Sequence, residues 1–250
     1  MEDSARTAAP DLVKRATQKA QNVVLVHGAY ADGSSWADVI PLLQRAGLNV
    51  MAVQNPLTSL ADDVAATQRA LDLQDGPTVL AGHSWAGTVI SEAGVHPNVT
   101  ALVYVAARAP DAGEDYGALA STYPAAPATA GLVHAGGFAQ LSEDAFLADF
   151  ANGIGQERAR VLYAVQGRIA DTLFAGRTTV AAWRELPCWY AISRLDRTTS
   201  PDLERFLAQR MQATSVEVES GHLSMIAHPE VIANLILEAA GASERVKVVS

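Results

Sequence analysis

The stretch VLAGHSWAGTVIS, residues 79–91, runs apolar, turns polar at Gly82-His83-Ser84 and becomes apolar again. A serine at the end of an apolar strand, with small residues two positions away on both sides, suits a nucleophile on a tight turn. Gly82 and Ala86 are those two small residues. A hydroxyl is a poor nucleophile at neutral pH and needs a base within about 2.6–3.2 Å. The bland alternative is a serine that caps the helix after the strand.

The chain offers six histidines as partners. His27 lies at the end of an apolar run, where it suits holding loop backbone. His83 neighbours the serine and must point away from it. His96 ends a helical stretch, His134 lies in an irregular region, and His228 precedes Pro229. His222 follows an apolar run in Ser220-Gly221-His222. A base of this kind needs a carboxylate to fix its tautomer and stabilise the imidazolium. Asp196 follows PCWYAI, with room for one helix and one strand before His222. Its bland alternative is a solvated aspartate paired with Arg194 or Arg197. Asp111, Glu114 and Asp115, after an earlier apolar run, are alternative acids.

These residues must be carried by strands and helices. Apolar runs at 23–28, 48–53, 77–82, 100–107, 187–192 and 214–220 read as buried strands. Between them Ser35–Gly47, Leu60–Leu73, Trp85–Val95, Pro201–Met211 and Pro229–Ala240 carry apolar residues at helical spacing or sit where the alternation requires a helix. Six such strands alternating with helices predict a parallel sheet covered on both faces. Ligands of such sheets bind at the carboxyl ends of the strands. That rule gathers His27-Gly28, Ser84, Ala106-Ala107, Asp196 and His222 along one edge. The alternation lapses over 108–185, where helical patterns are broken by Pro124, Pro127, Gly131, Gly136 and Gly137 and no strand is evident. The expected organisation is an N-terminal extension over 1–21, a core over 22–107 and 186–242, a cap over 108–185 and a tail over 243–250.

Gly82-His83-Ser84-Trp85-Ala86-Gly87 between strand and helix, with Asp196 and His222 following in that order, resembles the α/β-hydrolases. One position departs: Ala86 stands where the family has its last glycine, and Gly87 follows. The resemblance implies an α/β-hydrolase fold with a six-stranded, mainly parallel sheet, helices on both faces and a helical cap. It implies Ser84 as nucleophile, Asp196 as acid and His222 as base. The oxyanion donors would be the backbone N–H groups of Ala29 and Trp85, each worth roughly 3–4 kcal/mol of barrier by analogy with side-chain donors. His27-Gly28-Ala29, Ser35-Trp36, Pro201–Phe206 and Gly221–Met225 resemble the plant methylesterase and hydroxynitrile lyase branch and its bacterial aryl-ester and pyrethroid hydrolase relatives. The lyases carry a lysine where this chain has Leu223 and a threonine where it has Ala29, so the resemblance implies ester hydrolysis rather than cyanide chemistry. Trp85, Phe138, Tyr163, Phe174, Leu223 and Met225 are the expected pocket residues. Acyl transfer, perhydrolysis or lyase chemistry at the same triad is the alternative, as is a hydrolase-like receptor with little turnover.

Composition narrows the partners. The net charge of −9 gives no basic face for nucleic acid and favours a neutral or cationic substrate over a polyanion. No run of about 18 apolar residues predicts a membrane span, and the first 21 residues lack the apolar core of a secretory signal. The single cysteine, Cys188, cannot form an internal disulfide and reads as a buried strand residue. The expectation is a cytoplasmic enzyme that takes a small-molecule ester, with no metal or organic cofactor; a homodimer is compatible with the sequence.

Overall fold

The computed structural model describes residues 19–242 and 246. Six strands form one sheet: β1 (Asn22–Val26), β2 (Asn49–Val53), β3 (Thr78–His83), β4 (Val99–Val105), β8 (Cys188–Ser193) and β9 (Thr214–Val218). Their order is β2-β1-β3-β4-β8-β9, and every neighbouring pair is parallel. β1, β3 and β4 are buried along their whole length, whereas the edge strands β2 and β9 are partly exposed. This is why the central strands read as unbroken apolar runs: both of their faces are covered.

The register fixes where the loops emerge. Val26 pairs with Gly82, His83 with Val105, Val105 with Ala191, and Ser193 with Val218. The strands end level, so the segments that follow them meet at one rim.

Helices α1 (Ile40–Arg45), α2 (Leu60–Asp72), α3 (Ala86–Ala93), α5 (Pro201–Arg210) and α6 (Pro229–Ala239) belong to this core. Ser59 starts α2 by accepting from the Asp62 N–H at 3.1 Å, and two aspartates follow in the first turn, where the helix dipole favours them. Pro201 and Pro229 open their helices, where a missing N–H is harmless. The helix expected over Ser35–Gly47 is instead a 3-10 turn, Gly33–Trp36, followed by α1. Pro41 accounts for the break: it has no N–H to give the preceding turn and so restarts the helix.

Between β4 and β8 the chain leaves the sheet. This segment carries helix α4 (Gln156–Ala164), a π-helical turn (Phe146–Phe150) and short helical turns. It also carries a three-stranded antiparallel sheet that the sequence reading did not anticipate, β5 (Leu132–Ala135), β6 (Phe138–Leu141) and β7 (Ile169–Ala170). The cap is therefore mixed rather than purely helical. Gly136 and Gly137, with φ of +61° and +81°, make the two-residue turn joining β5 to β6. Two positive φ angles in succession are what a tight hairpin needs, so this glycine pair ends one strand only to begin its partner.

Most of the expected N-terminal extension, and of the tail over 243–250, lies outside the described residues. Ala20, within the extension as drawn, is buried and its N–H donates to the Ala240 carbonyl at 3.0 Å. Among the described residues, no helix is long and apolar enough to cross a membrane.

Candidate active site

Ser84 follows the last residue of β3 and has φ +55°, in the left-handed region that side chains other than glycine rarely occupy. Its N–H donates to the Val105 carbonyl at 3.1 Å, and its carbonyl accepts from Gly87 and Arg108, both at 3.0 Å. The bonds on both sides hold the strained turn in place. Two glycines make the space. A Cβ on Gly28 would lie 2.7 Å from Ser84 Cβ, and one on Gly87 would collide with the Arg108 carbonyl oxygen. The glycine after Ala86 is thus the one that the close approach of α3 and the post-β4 backbone requires.

Ala29 and Trp85 line the same cavity as Ser84, and the backbone N–H of neither donates to another described residue. The loop bearing Ala29 is fixed by His27. Its Nδ1–H donates to the Gly28 carbonyl at 2.8 Å and its Nε2 accepts from the Asn55 N–H at 2.9 Å. The Trp85 indole donates to Asp63 Oδ2 at 2.8 Å, while Asp63 Oδ1 accepts from the Leu57 N–H at 2.8 Å. Burial raises the Asp63 pKa against these two donors.

His222 and Asp196 meet from β9 and β8. His222 Nδ1 donates to Asp196 Oδ2 at 2.5 Å, and both side chains are fully buried. The other aspartate oxygen accepts from the Thr198 and Thr199 N–H groups at 2.6 and 2.8 Å. This leaves His222 Nε2 bare, and it has no hydrogen-bond partner, Ser84 included. The His222 main chain is anchored by His83, whose Nε2–H donates to the His222 carbonyl at 3.0 Å. Burial, followed by the neighbouring His222, pushes the His83 pKa well below the usual histidine value, so His83 is a neutral donor. Behind Asp196 lies Glu204, fully buried, accepting from the Ser193 N–H at 2.9 Å. Burial, and after it the Asp196 charge, push its pKa well above the usual carboxylate range.

Ser84, Ala29 and Trp85 open onto a cavity of about 170 Å³, roofed by Ala128, Leu132 and Leu141 of the cap. Of the expected pocket residues, Trp85 and Phe174 line it, their rings 5.5 Å apart. Leu223 lines a separate small cavity instead. Met225 is wholly buried in the core, Tyr163 packs on Phe146 at 5.7 Å, and Phe138 lies under Arg168 at 5.7 Å. None of these three lines the Ser84 cavity. Asp111 and Glu114, the alternative acids, are bonded to Arg184 and Arg210, and Asp115 to Arg177. Cys188 is buried, and burial pushes its thiol up to about 12. Among the described residues no group of three or more His, Cys, Asp or Glu side chains is placed to hold a metal ion.

The family model described as the alpha/beta hydrolase family matches residues 23–235. The chain belongs to the alpha/beta hydrolase family. Among solved structures, polyneuridine aldehyde esterase superposes on this hydrolase with a TM-score of 0.76 at 17% identity, over 88% of this chain and 98% of that one. A pyrethroid hydrolase from Sphingobium faniae gives 0.69 at 21%, over 90% and 98%. A methylesterase from Arabidopsis gives 0.72 at 16%, over 88% and 98%. At these identities the likeness is one of fold. No curated protein matches the chain by sequence.

Several residues of this hydrolase site escape a sequence reading. Asp63 sits mid-sequence in a helix, and only the fold brings it to Trp85. Glu204 looks like a solvated helix residue until α5 packs on β8. Arg108 alone carried a signal: it directly follows the fourth apolar run, at the strand end where ligands of such sheets bind.

Proposed function

We propose that the protein is a serine hydrolase that cleaves small carboxylic esters through an acyl-enzyme on Ser84. The observation that carries this reading is the strained Ser84 turn, opening into a cavity beside two uncommitted backbone N–H groups. His222, its Nδ1 tied to Asp196, presents Nε2 as the lone pair that accepts the serine proton. The Ser84 hydroxyl and Nε2 are not hydrogen-bonded in the free protein; such contacts are often loose before substrate binds. The oxygen then attacks the ester carbonyl, whose developing negative charge is met by the Ala29 and Trp85 N–H groups. The tetrahedral intermediate collapses, His222 gives its proton to the departing alcohol, and water clears the acyl group by the same route. Asp196 stays ionised and steadies the imidazolium throughout.

Replacing Ser84 by alanine tests this. Ser84→Ala is expected to keep the circular dichroism spectrum and to lower kcat for a p-nitrophenyl ester by about three orders of magnitude or more. An unchanged rate would end the reading.

A further inference from the structure

Among the described residues, Arg108 is the one cation lining the Ser84 cavity, and it stands apart from its neighbours. Close by, Arg210 pairs with Glu114 at 2.7 Å and Arg184 pairs with Asp111. Arg108 makes no side-chain hydrogen bond or ion pair with any described residue. Its guanidinium carbon instead sits 4.0 Å from the Phe174 ring centre, 4.9 Å from Tyr116 and 5.4 Å from Trp85. Aromatic rings bind a guanidinium mainly through its flat face, which leaves the in-plane N–H edges for another partner. An arginine stays charged in a protein, and a desolvated charge without a counter-ion is costly.

The surroundings carry hydroxyls but no carboxylate among the lining residues. A second cavity, of about 220 Å³, adjoins the first, and Arg108, Thr129, Thr198 and Thr199 line both. The Tyr116 hydroxyl and Thr198 Oγ1, on residues lining this second cavity, are buried without hydrogen-bond partners. The nearby carboxyls are already committed. Glu114 is paired, Asp196 serves His222 and two backbone N–H groups, and Glu204 accepts from the Ser193 N–H.

We propose that Arg108, with the Tyr116 and Thr198 hydroxyls, forms a carboxylate-binding subsite beside Ser84, so that the preferred substrates are esters bearing a carboxylate. The inference rests on the esterase reading for the chemistry, though the subsite binds anions whether or not Ser84 reacts. It runs against the acidic composition of the chain: the charged side chain among the described residues lining the two cavities is the cation Arg108, although the whole molecule carries a net charge of −9. The fork of N–H donors on a guanidinium matches the two oxygens of a carboxylate.

Two esters with the same acyl chain isolate the charge: mono-p-nitrophenyl glutarate and p-nitrophenyl pentanoate, which differ by a carboxylate in place of a methyl group. After subtraction of spontaneous hydrolysis, the protein is expected to favour the glutarate in kcat/KM by about tenfold or more. Arg108→Gln should erase that ratio, chiefly through KM, and Arg108→Lys should keep part of it. The second measurement omits the chemistry: Ser84→Ala titrated calorimetrically with monomethyl glutarate should bind it saturably, and the Arg108→Lys change on that background should weaken the binding. Hydrolysis of both esters without preference for the glutarate, together with no calorimetric binding, overturns the subsite and leaves the esterase standing. Binding to Ser84→Ala when the unaltered protein turns over neither ester upholds the subsite and removes the esterase. Should Arg108→Gln fail to fold, the Lys variant and the calorimetry decide.

Discussion

The floor and the roof of the Ser84 cavity are built differently. The floor lies at the carboxyl rim of a sheet whose central strands are wholly buried. Tyr30, Ser84 and Ala106 all have positive φ there, at 58°, 55° and 45°. Ser84 and Ala106 each directly follow a strand and donate their N–H to the neighbouring strand, to the Val105 and Ala191 carbonyls, whereas Tyr30 lies in the turn after β1. The roof is made of short strands and helical turns and joins the core by separate contacts. Asn152 donates to the Leu195 carbonyl at 2.9 Å, Arg197 to Asp149 at 2.7 Å, and the Ala170 N–H to the Leu57 carbonyl at 2.9 Å. Strain needs a surrounding that over-determines it, and the paired strand ends beside Ser84 and Ala106 supply one. On the reading proposed above, the reacting groups belong to the floor, and the roof shapes the space over them.

Changes to the floor should cost the reaction most. Asp196→Asn leaves His222 Nδ1 facing an amide that can donate to it, which favours the wrong tautomer. A fall in kcat of about 10⁴-fold is expected by comparison with other triads, with KM little changed; a fall below tenfold would remove Asp196 from the mechanism. Gly87→Ala tests the packing of the floor instead. Its new methyl meets the Arg108 carbonyl, and a loss of about 3 kcal/mol or more is expected in denaturant melts. An unaltered midpoint would mean that the post-β4 backbone yields freely.

Glu204→Gln has a smaller effect with a defined sign. The folded protein holds the Glu204 proton to a higher pH than the unfolded chain, whose glutamate releases it near pH 4.3. Above that value the unfolded state sheds a proton that the folded state keeps, so stability falls as pH rises, until the folded group also ionises. The glutamine variant lacks this slope and should gain on the parent in Tm as pH rises from 5 to 8. Parallel curves would show that Glu204 is ionised in the fold.

The roof should respond most mildly. Leu132→Ala enlarges the cavity from above and should move the preferred acyl length upward, with changes in kcat/KM of about tenfold or less. A collapse of turnover for every ester would place part of the machinery in the cap.

The same division decides what a sequence discloses. Val23–Val26 and Val79–Ala81 are legible because a strand buried on both faces has no polar alternation, and the level strand ends then gather Ser84, Asp196 and His222 at one rim. The cap resists because its strands are two to four residues long, shorter than any periodicity can mark. Only Gly136-Gly137 announced its hairpin, and paired glycines read as a break as readily as a turn. His83, Asp63 and Glu204 escape for another reason. Each acts on a residue from a different element, through a bond that exists only once the sheet has formed.

The central claim is that Ser84 is activated by its setting. A fluorophosphonate probe with peptide mapping tests it most directly, because only an activated serine reacts quickly. The account predicts one label per chain, on Ser84, and its near disappearance in His222→Ala. A folded protein that takes no label, or takes it at another residue, would contradict it.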